Sequence, residues 1–437
     1  VTGARLLLGD MRVRLRELAD DSVDAVVTDP PYHLASIVKR FGSPTAAPVR
    51  NADEAVDRNG PYRRASRGFM GQTWDGGDVA FDAATWAEVL RVLKPGGHLV
   101  AFGATRNYHR LAVAIEDAGF ELRDMVAWLY GSGFPKSHDV SKGIDRGAGA
   151  VRDVVGERDR YRDGKRRADL GPVGNMLGNN ANGVAAITAP ATADAAAWDG
   201  WGTALKPALE PIALARKPLS ERSVAANVLK WGTGALNVDA CRIGMDEADA
   251  KASARPGHKD KPTADSIFGT GGQMHAEQNP LGRWPANLCH DGSAEVLAGF
   301  PDEAGGGFGK RGGERRSDYG FGGNLETVGF GDSGSAARFF YCAKATTEER
   351  GPGNGHPTVK PVALLCWLVR LVTPPGGIVL DPFLGSGSTG VAADICQAKF
   401  VGIELKPDYM AIAERRMVDR AGLFADVAVD RGEGVAA

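Results

Sequence analysis

The stretch Val23-Asp-Ala-Val-Val-Thr28, followed at once by Asp29-Pro30-Pro31-Tyr32, decides how this chain is read. An alternating apolar run that ends in two prolines reads as a strand stopped at its carboxyl end. Proline cannot donate to a ladder, and each proline drives the residue before it out of helical geometry. In an open α/β sheet, ligands bind outside the carboxyl ends of the strands. The tetrapeptide therefore puts a carboxylate, a rigid backbone with carbonyl acceptors and an aromatic face at a ligand site. Those are the parts needed to hold a planar ring that bears an amine.

A second strand end lies near the other terminus, in Ile378-Val-Leu-Asp381-Pro-Phe383-Leu-Gly385-Ser-Gly387-Ser-Thr389-Gly390. A short β-branched strand runs into a glycine-rich turn, and an alanine-rich helix follows. Glycines let the backbone approach a ligand closely, and the helix start adds exposed N–H groups. Gly385, Gly387 and Gly390 satisfy GxGxxG, and Glu404 closes the next apolar run, Lys399 to Glu404. An acid there suits ribose hydroxyls of a nucleotide-like cofactor. By itself the pattern leaves a nicotinamide cofactor and S-adenosylmethionine both open. It is not a P-loop, because no Gly-Lys-Ser/Thr follows the glycines.

Two more motifs complete the pattern: Gly9-Asp10-Met11 near the start, and His356-Pro357-Thr358-Val359-Lys360-Pro361 ahead of the helical run that leads to Ile378. Together with the first two, they make the chain resemble the β-ordered group of DNA amino-methyltransferases. In that group the DPPY motif comes first, a target-recognition region lies in the middle, and the cofactor motif comes last. The resemblance runs from residue 5 to 130 and from 338 to 420, with a weaker match at Gly202 to Leu219.

The resemblance implies an α/β fold: a circularly permuted Rossmann-like methyltransferase sheet with an inserted, loop-rich target-recognition region. It implies a site-specific enzyme that moves a methyl group from S-adenosylmethionine to the exocyclic N6 of a flipped-out adenine in double-stranded DNA. Methylation of cytosine N4 is the alternative, because the two chemistries share these motifs. Aspartate at the head of the tetrapeptide favours adenine, since relatives that modify cytosine N4 more often carry serine there. Such an amine is a poor nucleophile while its lone pair is delocalised. Acceptors on both N–H groups, the Asp29 carboxylate and the Pro30 carbonyl, would turn the lone pair out of the ring plane, with Pro31 stiffening the turn and Tyr32 stacking on the base. For the cofactor, the resemblance implies Asp381, Phe383, Gly385 and Gly387 around the methionine and adenosine portions. Glu404 is expected on the ribose, Asp10 and Met11 at the adenine, and Thr358 and Lys360 at the methionine end. His33 reads as a pocket-edge residue, and His98 and His109 carry no assigned role. A homodimer is expected because relatives commonly dimerise, and a partner restriction endonuclease is left open.

Composition bounds these expectations. At 437 residues the chain has room for a large catalytic domain and an insertion. The expected segments are 1–130, a catalytic half with the DPPY motif; 131–197, a basic insertion; 198–218, a return strand of the catalytic domain; 219–337, a target-recognition region; 338–420, the cofactor-binding half; and 421–437, a frayed tail. A net charge of -2 supplies no global basic field, so DNA affinity must come from local clusters. Lys310, Arg311, Arg315 and Arg316 are the candidate phosphate contacts, with further basic residues between Arg158 and Arg167. Five scattered cysteines form no CxxC pair, so neither a disulfide scaffold nor a metal site is expected. No cysteine follows a proline, which removes the Pro-Cys nucleophile of cytosine-C5 methyltransferases. The apolar run Val362 to Val372 is too short to span a bilayer, and no signal peptide is visible. The expectation is a cytoplasmic, nucleoid-associated protein, bacterial or phage-encoded. Two other classes stay open at this point: a catalytically silent DNA-binding relative and a nicotinamide oxidoreductase.

Overall fold

The computed structural model describes residues 3–32, 79–133, 137–159, 184–245, 281–303, 334–343, 359–422 and 426–432. They fall into two compact units, Val1–Gly131 with Leu209–Ala437, and Ser132–Ala208. No helix among the described residues is long and apolar enough to cross a membrane.

In chain order the strands are β1 (Ala4–Leu8), β2 (Val23–Thr28), β3 (Leu93–Phe102), β4 (Glu121–Leu129), β5 (Val154–Asp159), β6 (Val184–Thr188), β7 (Leu209–Arg216), β8 (Leu288–His290), β9 (Asp302–Glu303), β10 (Gly334–Ser335), β11 (Tyr341–Cys342), β12 (Ile378–Asp381), β13 (Lys399–Glu404) and β14 (Val427–Asp430). The helices are α1 (Met11–Arg14), α2 (Ala83–Val92), α3 (Tyr108–Asp117), α4 (Val140–Gly147), α5 (Ala193–Ala197), α6 (Val224–Trp231), α7 (Ala294–Leu297), α8 (Val362–Val372), α9 (Ser388–Ile395) and α10 (Pro407–Ala421).

The larger unit is built on one 10-stranded sheet in the order β11-β8-β4-β7-β3-β2-β12-β13-β1-β14. Every pairing is parallel except those of β7, which runs against both β3 and β4. β2 is buried along its whole length, as a strand covered on both faces must be. One apolar layer packs α8, α9 and α10 on one face, and the other packs α1, α2 and α3 on the opposite face. α2 shows why these residues form such a helix. Asp82 caps its start by accepting from the Ala84 N–H, and Trp86, Val89 and Val92 share its buried stripe.

The permutation is visible in the pairing. β1, from the start of the chain, lies parallel beside β13, from near its end, with Leu8 opposite Glu404. The mainly parallel sheet with helices on both faces is the fold class read from the sequence.

Several segment boundaries differ from the sequence-based expectation. The insertion is expected at 131–197 and the return strand at 198–218, but the second unit runs to Ala208 and the strand begins at Leu209. Residues 198–208 stay with that unit because Gly202 bridges to Asp139, the His138 N–H donates to Thr203 Oγ1, and the Thr203 N–H donates to Ser137 Oγ. That unit also pairs β5 with β6 as an antiparallel hairpin, and a buried Arg152–Asp145 ion pair of 2.6 Å holds it internally. The segment 219–337 is not all outside the catalytic sheet: its β8 pairs with β4, and β11, from the segment after it, pairs in turn with β8. The tail 421–437 contains β14, which pairs along β1 and closes the sheet edge, with Val427 and Val429 packed on the core. Lys94 to Gly97, whose prolyl-glycyl run suggests a helix stop before the strand, lies inside β3, and the pairing with β2 shifts register across it.

Candidate active site

β12 and β2 are neighbours at the centre of the sheet, and the chain leaves them in opposite directions. From β12 it passes through α9 to β13, and from β2 through α2 to β3, so the two connections lie on opposite faces. A crevice opens outside the carboxyl ends of such a pair. The Asp381 turn and the Asp29 turn are the two lips of that crevice.

The glycine turn is shaped by what would not fit. Gly387 has φ +82°, and a Cβ there would lie 2.9 Å from Cα of Ala413 on α10. Gly385 is also left-handed, at φ 55°. Gly390 lets α9 settle against its neighbours, since a Cβ would come within 2.5 Å of Met417 Sδ. Arg416 pins the turn by donating to the Ser386 carbonyl at 2.6 Å and to the hydroxyls of Ser386 and Ser388 at 3.0 Å.

Carboxylates crowd this rim. Asp381 accepts from Thr28 Oγ1 at 2.7 Å and from the Phe383 N–H at 3.0 Å. Burial pushes its carboxyl up to about 6, against the pull of Thr28 and Thr389. Glu404 accepts the N–H groups of Gly385 at 2.8 Å and Lys406 at 2.9 Å. Burial pushes it up to about 7, with those backbone donors resisting. Asp10 follows β1, next to Glu404, and caps α1 through the Arg12 N–H. The Arg12 side chain holds its carboxyl below the usual range. Met11 faces the apolar layer beneath and is buried, so its side chain adds packing at that position. Phe383 packs on the same layer, 6.4 Å from Trp86 between ring centroids.

At the other lip, Asp29 and Tyr32 join a cluster with Lys360 and Glu210. The Tyr32 hydroxyl donates to Asp29 Oδ1 at 2.8 Å, and Lys360 Nζ donates to that hydroxyl at 3.0 Å. Lys360 Nζ lies 2.9 Å from Asp29 Oδ2 and 3.1 Å from Glu210 Oε2. The ammonium also sits over the Tyr32 ring at 5.2 Å and the Phe102 ring at 5.0 Å. Burial works against its charge, but the Asp29 and Glu210 carboxylates outweigh burial and raise the Lys360 pKa. The Tyr32 phenol is pushed far up by burial and then by the same carboxylates. Asn107 fixes the turn by donating to the Tyr32 carbonyl.

Sequence reasoning puts Lys360 at the methionine end of the cofactor; the structure brings it to Asp29. It misses Glu210 altogether. The signal available was an acid at the mouth of an apolar strand, Leu209-Glu-Pro-Ile-Ala-Leu-Ala. His98, given no role, is buried on β3 and kept neutral by burial and by Arg216 and Arg123, with its pKa lowered to about 4. Thr358, His356, His33, Lys310, Arg311, Arg315 and Arg316 lie outside the described residues.

The residues present fit S-adenosylmethionine better than a dinucleotide. Asp10, Asp381 and Glu404 offer acceptors to hydroxyls and amines and a negative field to a sulfonium. A pyrophosphate would meet the same carboxylates as repulsion.

The family model for N6/N4-type DNA methylases matches residues 23–415. Over 64 residues the chain is 47% identical to the DNA adenine methyltransferase YhdJ of Escherichia coli (strain K12), which is 15% of this chain and 22% of that protein. Over 62 residues it is 44% identical to the Type II methyltransferase M2.DpnII of Streptococcus pneumoniae, 14% of this chain and 23% of that one. The aligned stretches thus span less than a quarter of either relative. The crystal structure of TTHA0409 from Thermus thermophilus, complexed with S-adenosyl-L-methionine, aligns over 98% of this chain and 99% of its own, with a TM-score of 0.37 and 16% identity.

Proposed function

The chain belongs to the N6/N4 DNA methylase family, and from that premise we propose that it is a site-specific, S-adenosylmethionine-dependent DNA methyltransferase whose product is N6-methyladenine. The observation that carries the reading is the juxtaposition of strand ends: Asp29 and Tyr32 close β2, and Asp381 with its glycine turn closes the adjacent β12.

When bound, S-adenosylmethionine supplies an electrophilic methyl group on a sulfonium. Glu404 accepts from the ribose hydroxyls, Asp10 from the adenine amine, and Asp381 lies behind the turn as a buried acceptor. The Asp29 carboxylate accepts a hydrogen bond from one N–H of the target amine and the Pro30 carbonyl accepts one from the other, which directs the nitrogen lone pair away from the ring. Positive charge that develops on that nitrogen is met by the Asp29 carboxylate. Tyr32 offers its ring face to the base, which must leave the duplex to arrive there, at a cost of a few kcal/mol. Positioning and charge complementarity supply the acceleration, with no covalent intermediate.

Aspartate at position 29 supports adenine over cytosine N4, whose amine carries the same two hydrogens. Nucleoside mass spectrometry of unmethylated DNA incubated with protein and methyl-labelled cofactor tests this. Label in N6-methyladenine is expected; label in N4-methylcytosine alone would overturn the base assignment and leave the reaction class standing. The same reading takes the protein as cytoplasmic and homodimeric, the latter to be measured by light scattering.

A further inference from the structure

We propose that Glu210 is a positioning residue for methyl transfer: by sharing the Lys360 ammonium with Asp29, it keeps a net negative charge at the place where the target nitrogen becomes positive. The inference rests on the proposed function and concerns a residue outside the four sequence motifs, within the weaker match at Gly202 to Leu219.

The geometry sets the problem. Lys360 Nζ stands 2.9 Å from Asp29 Oδ2, and the Tyr32 hydroxyl occupies Oδ1 at 2.8 Å. The lysine side chain is 7% exposed, so water does little to screen it. A buried ammonium paired with Asp29 alone would cancel the carboxylate's charge and repel a nitrogen turning cationic. Glu210 changes that balance. Its Oε2 lies 3.1 Å from the same ammonium and 3.4 Å from the Tyr32 hydroxyl, and its side chain is 18% exposed. Two carboxylates around one ammonium leave one negative charge in the cluster. They also give Lys360 a second partner to lean on when the amine of the base reaches Asp29. Placing Glu210 here needs β7 to run antiparallel, because only then does a residue at its amino end stand beside the carboxyl ends of β3 and β4.

A charge-rescue experiment tests this. Glu210→Gln keeps the shape and removes the charge. It should lower kcat at saturating DNA by roughly tenfold or more, while cofactor affinity by calorimetry stays within about twofold. Adding Lys360→Gln to that variant restores the negative charge at Asp29, and the double variant should turn over several-fold faster than Glu210→Gln. A purely structural Glu210 predicts the reverse, since a second buried substitution only adds damage. Urea unfolding of wild type, both single variants and the double variant, without DNA or cofactor, reads the pair directly: the midpoint losses of the singles should exceed that of the double when combined. A double variant no faster than Glu210→Gln, or midpoint losses that simply add, overturns the inference while a methylating wild type leaves the function intact. A wild-type protein that transfers no methyl group to DNA overturns the proposed function, and the inference with it.

Discussion

Replacing Glu404 by glutamine should make the empty protein more stable at pH 8 and worse at holding its cofactor. The residue is 8% exposed, and burial raises its pKa from 4.5 to about 7. A carboxyl whose pKa is higher in the folded chain than in the unfolded one favours the fold when protonated. Its contribution is fully present below pH 4.5 and is lost as pH rises through 7, so at pH 8 the ionised side chain is a burden on the fold. A shift of that size corresponds to roughly 3 kcal/mol. Glutamine keeps one carbonyl for the N–H groups of Gly385 and Lys406, which now share it, at a cost of about 1 kcal/mol. The expected gain at pH 8 is therefore about 2 kcal/mol, and at pH 4.5 the variant should be no more stable than wild type. Urea unfolding at the two pH values measures both. Binding should move the other way, because hydroxyl groups donate to a carboxylate more strongly than to an amide. A loss of about 1.5–3 kcal/mol in calorimetry with S-adenosylmethionine is expected. For wild type, affinity should fall as pH drops below 7, when the free protein takes up a proton that the ligand must displace. A variant that is less stable than wild type at pH 8, or that binds the cofactor equally well, would refute the placement of Glu404 as a buried acceptor for the ligand.

Asp29→Ala should cut kcat by about a hundredfold or more while leaving cofactor affinity nearly unchanged, as single-turnover rates and calorimetry can show. Tyr32→Phe keeps the stacking face but loses the hydroxyl that bridges Asp29 and Lys360; base capture, followed by 2-aminopurine fluorescence, should persist while turnover falls several-fold. Gly387→Ala puts a methyl group against Ala413 at a left-handed position; about 1–3 kcal/mol of stability should go, with measurable cofactor binding, and wild-type affinity in that variant would argue against the turn as the cradle. Neutralising Lys310, Arg311, Arg315 or Arg316 should flatten the salt dependence of DNA binding by about one unit of slope per phosphate contact and weaken all sequences alike.

What was legible in the sequence was local. β2 and β12 are short apolar runs whose ends are marked by prolines or glycines, so their positions and the residue types at their carboxyl ends could be read directly. The order of motifs along the chain then implied the permutation. What was not legible was pairing across long separations. Glu210 meets Tyr32 across 178 residues, and nothing near it says that β7 runs antiparallel or which strands flank it. β14 is too short for its alternation to register, and it becomes a strand only because β1 presents an open edge. Residues 198–208 carry no boundary signal of their own; the Gly202 bridge to Asp139 and the Thr203 hydrogen bonds to Ser137 and His138 decide where they belong.

The permutation also explains why so little of the site is contiguous. An open sheet places ligand groups by strand position, and strand position is indifferent to where the chain begins. Asp10 and Asp29 come from the first strands, Asp381 and Glu404 from strands near the end, and Lys360 from the segment just before α8, yet β1, β13, β12 and β2 stand side by side. On the proposed function, the cofactor would lie over the β12–β13–β1 half of the sheet and the target base over the β2–β3–β7 half. The turns after β12 and β2 are the seam. Thr28, the last residue of β2, donates its hydroxyl to Asp381 at the end of β12 across that seam. Lys360 ties the target-side turn to β7 through Asp29 and Glu210. A change on either lip is therefore transmitted through a hydrogen bond or an ion pair between side chains hundreds of residues apart in sequence. For this reason the separation of binding from turnover in the Asp29, Glu404 and Glu210 variants is the sharpest test of how the two halves divide their work.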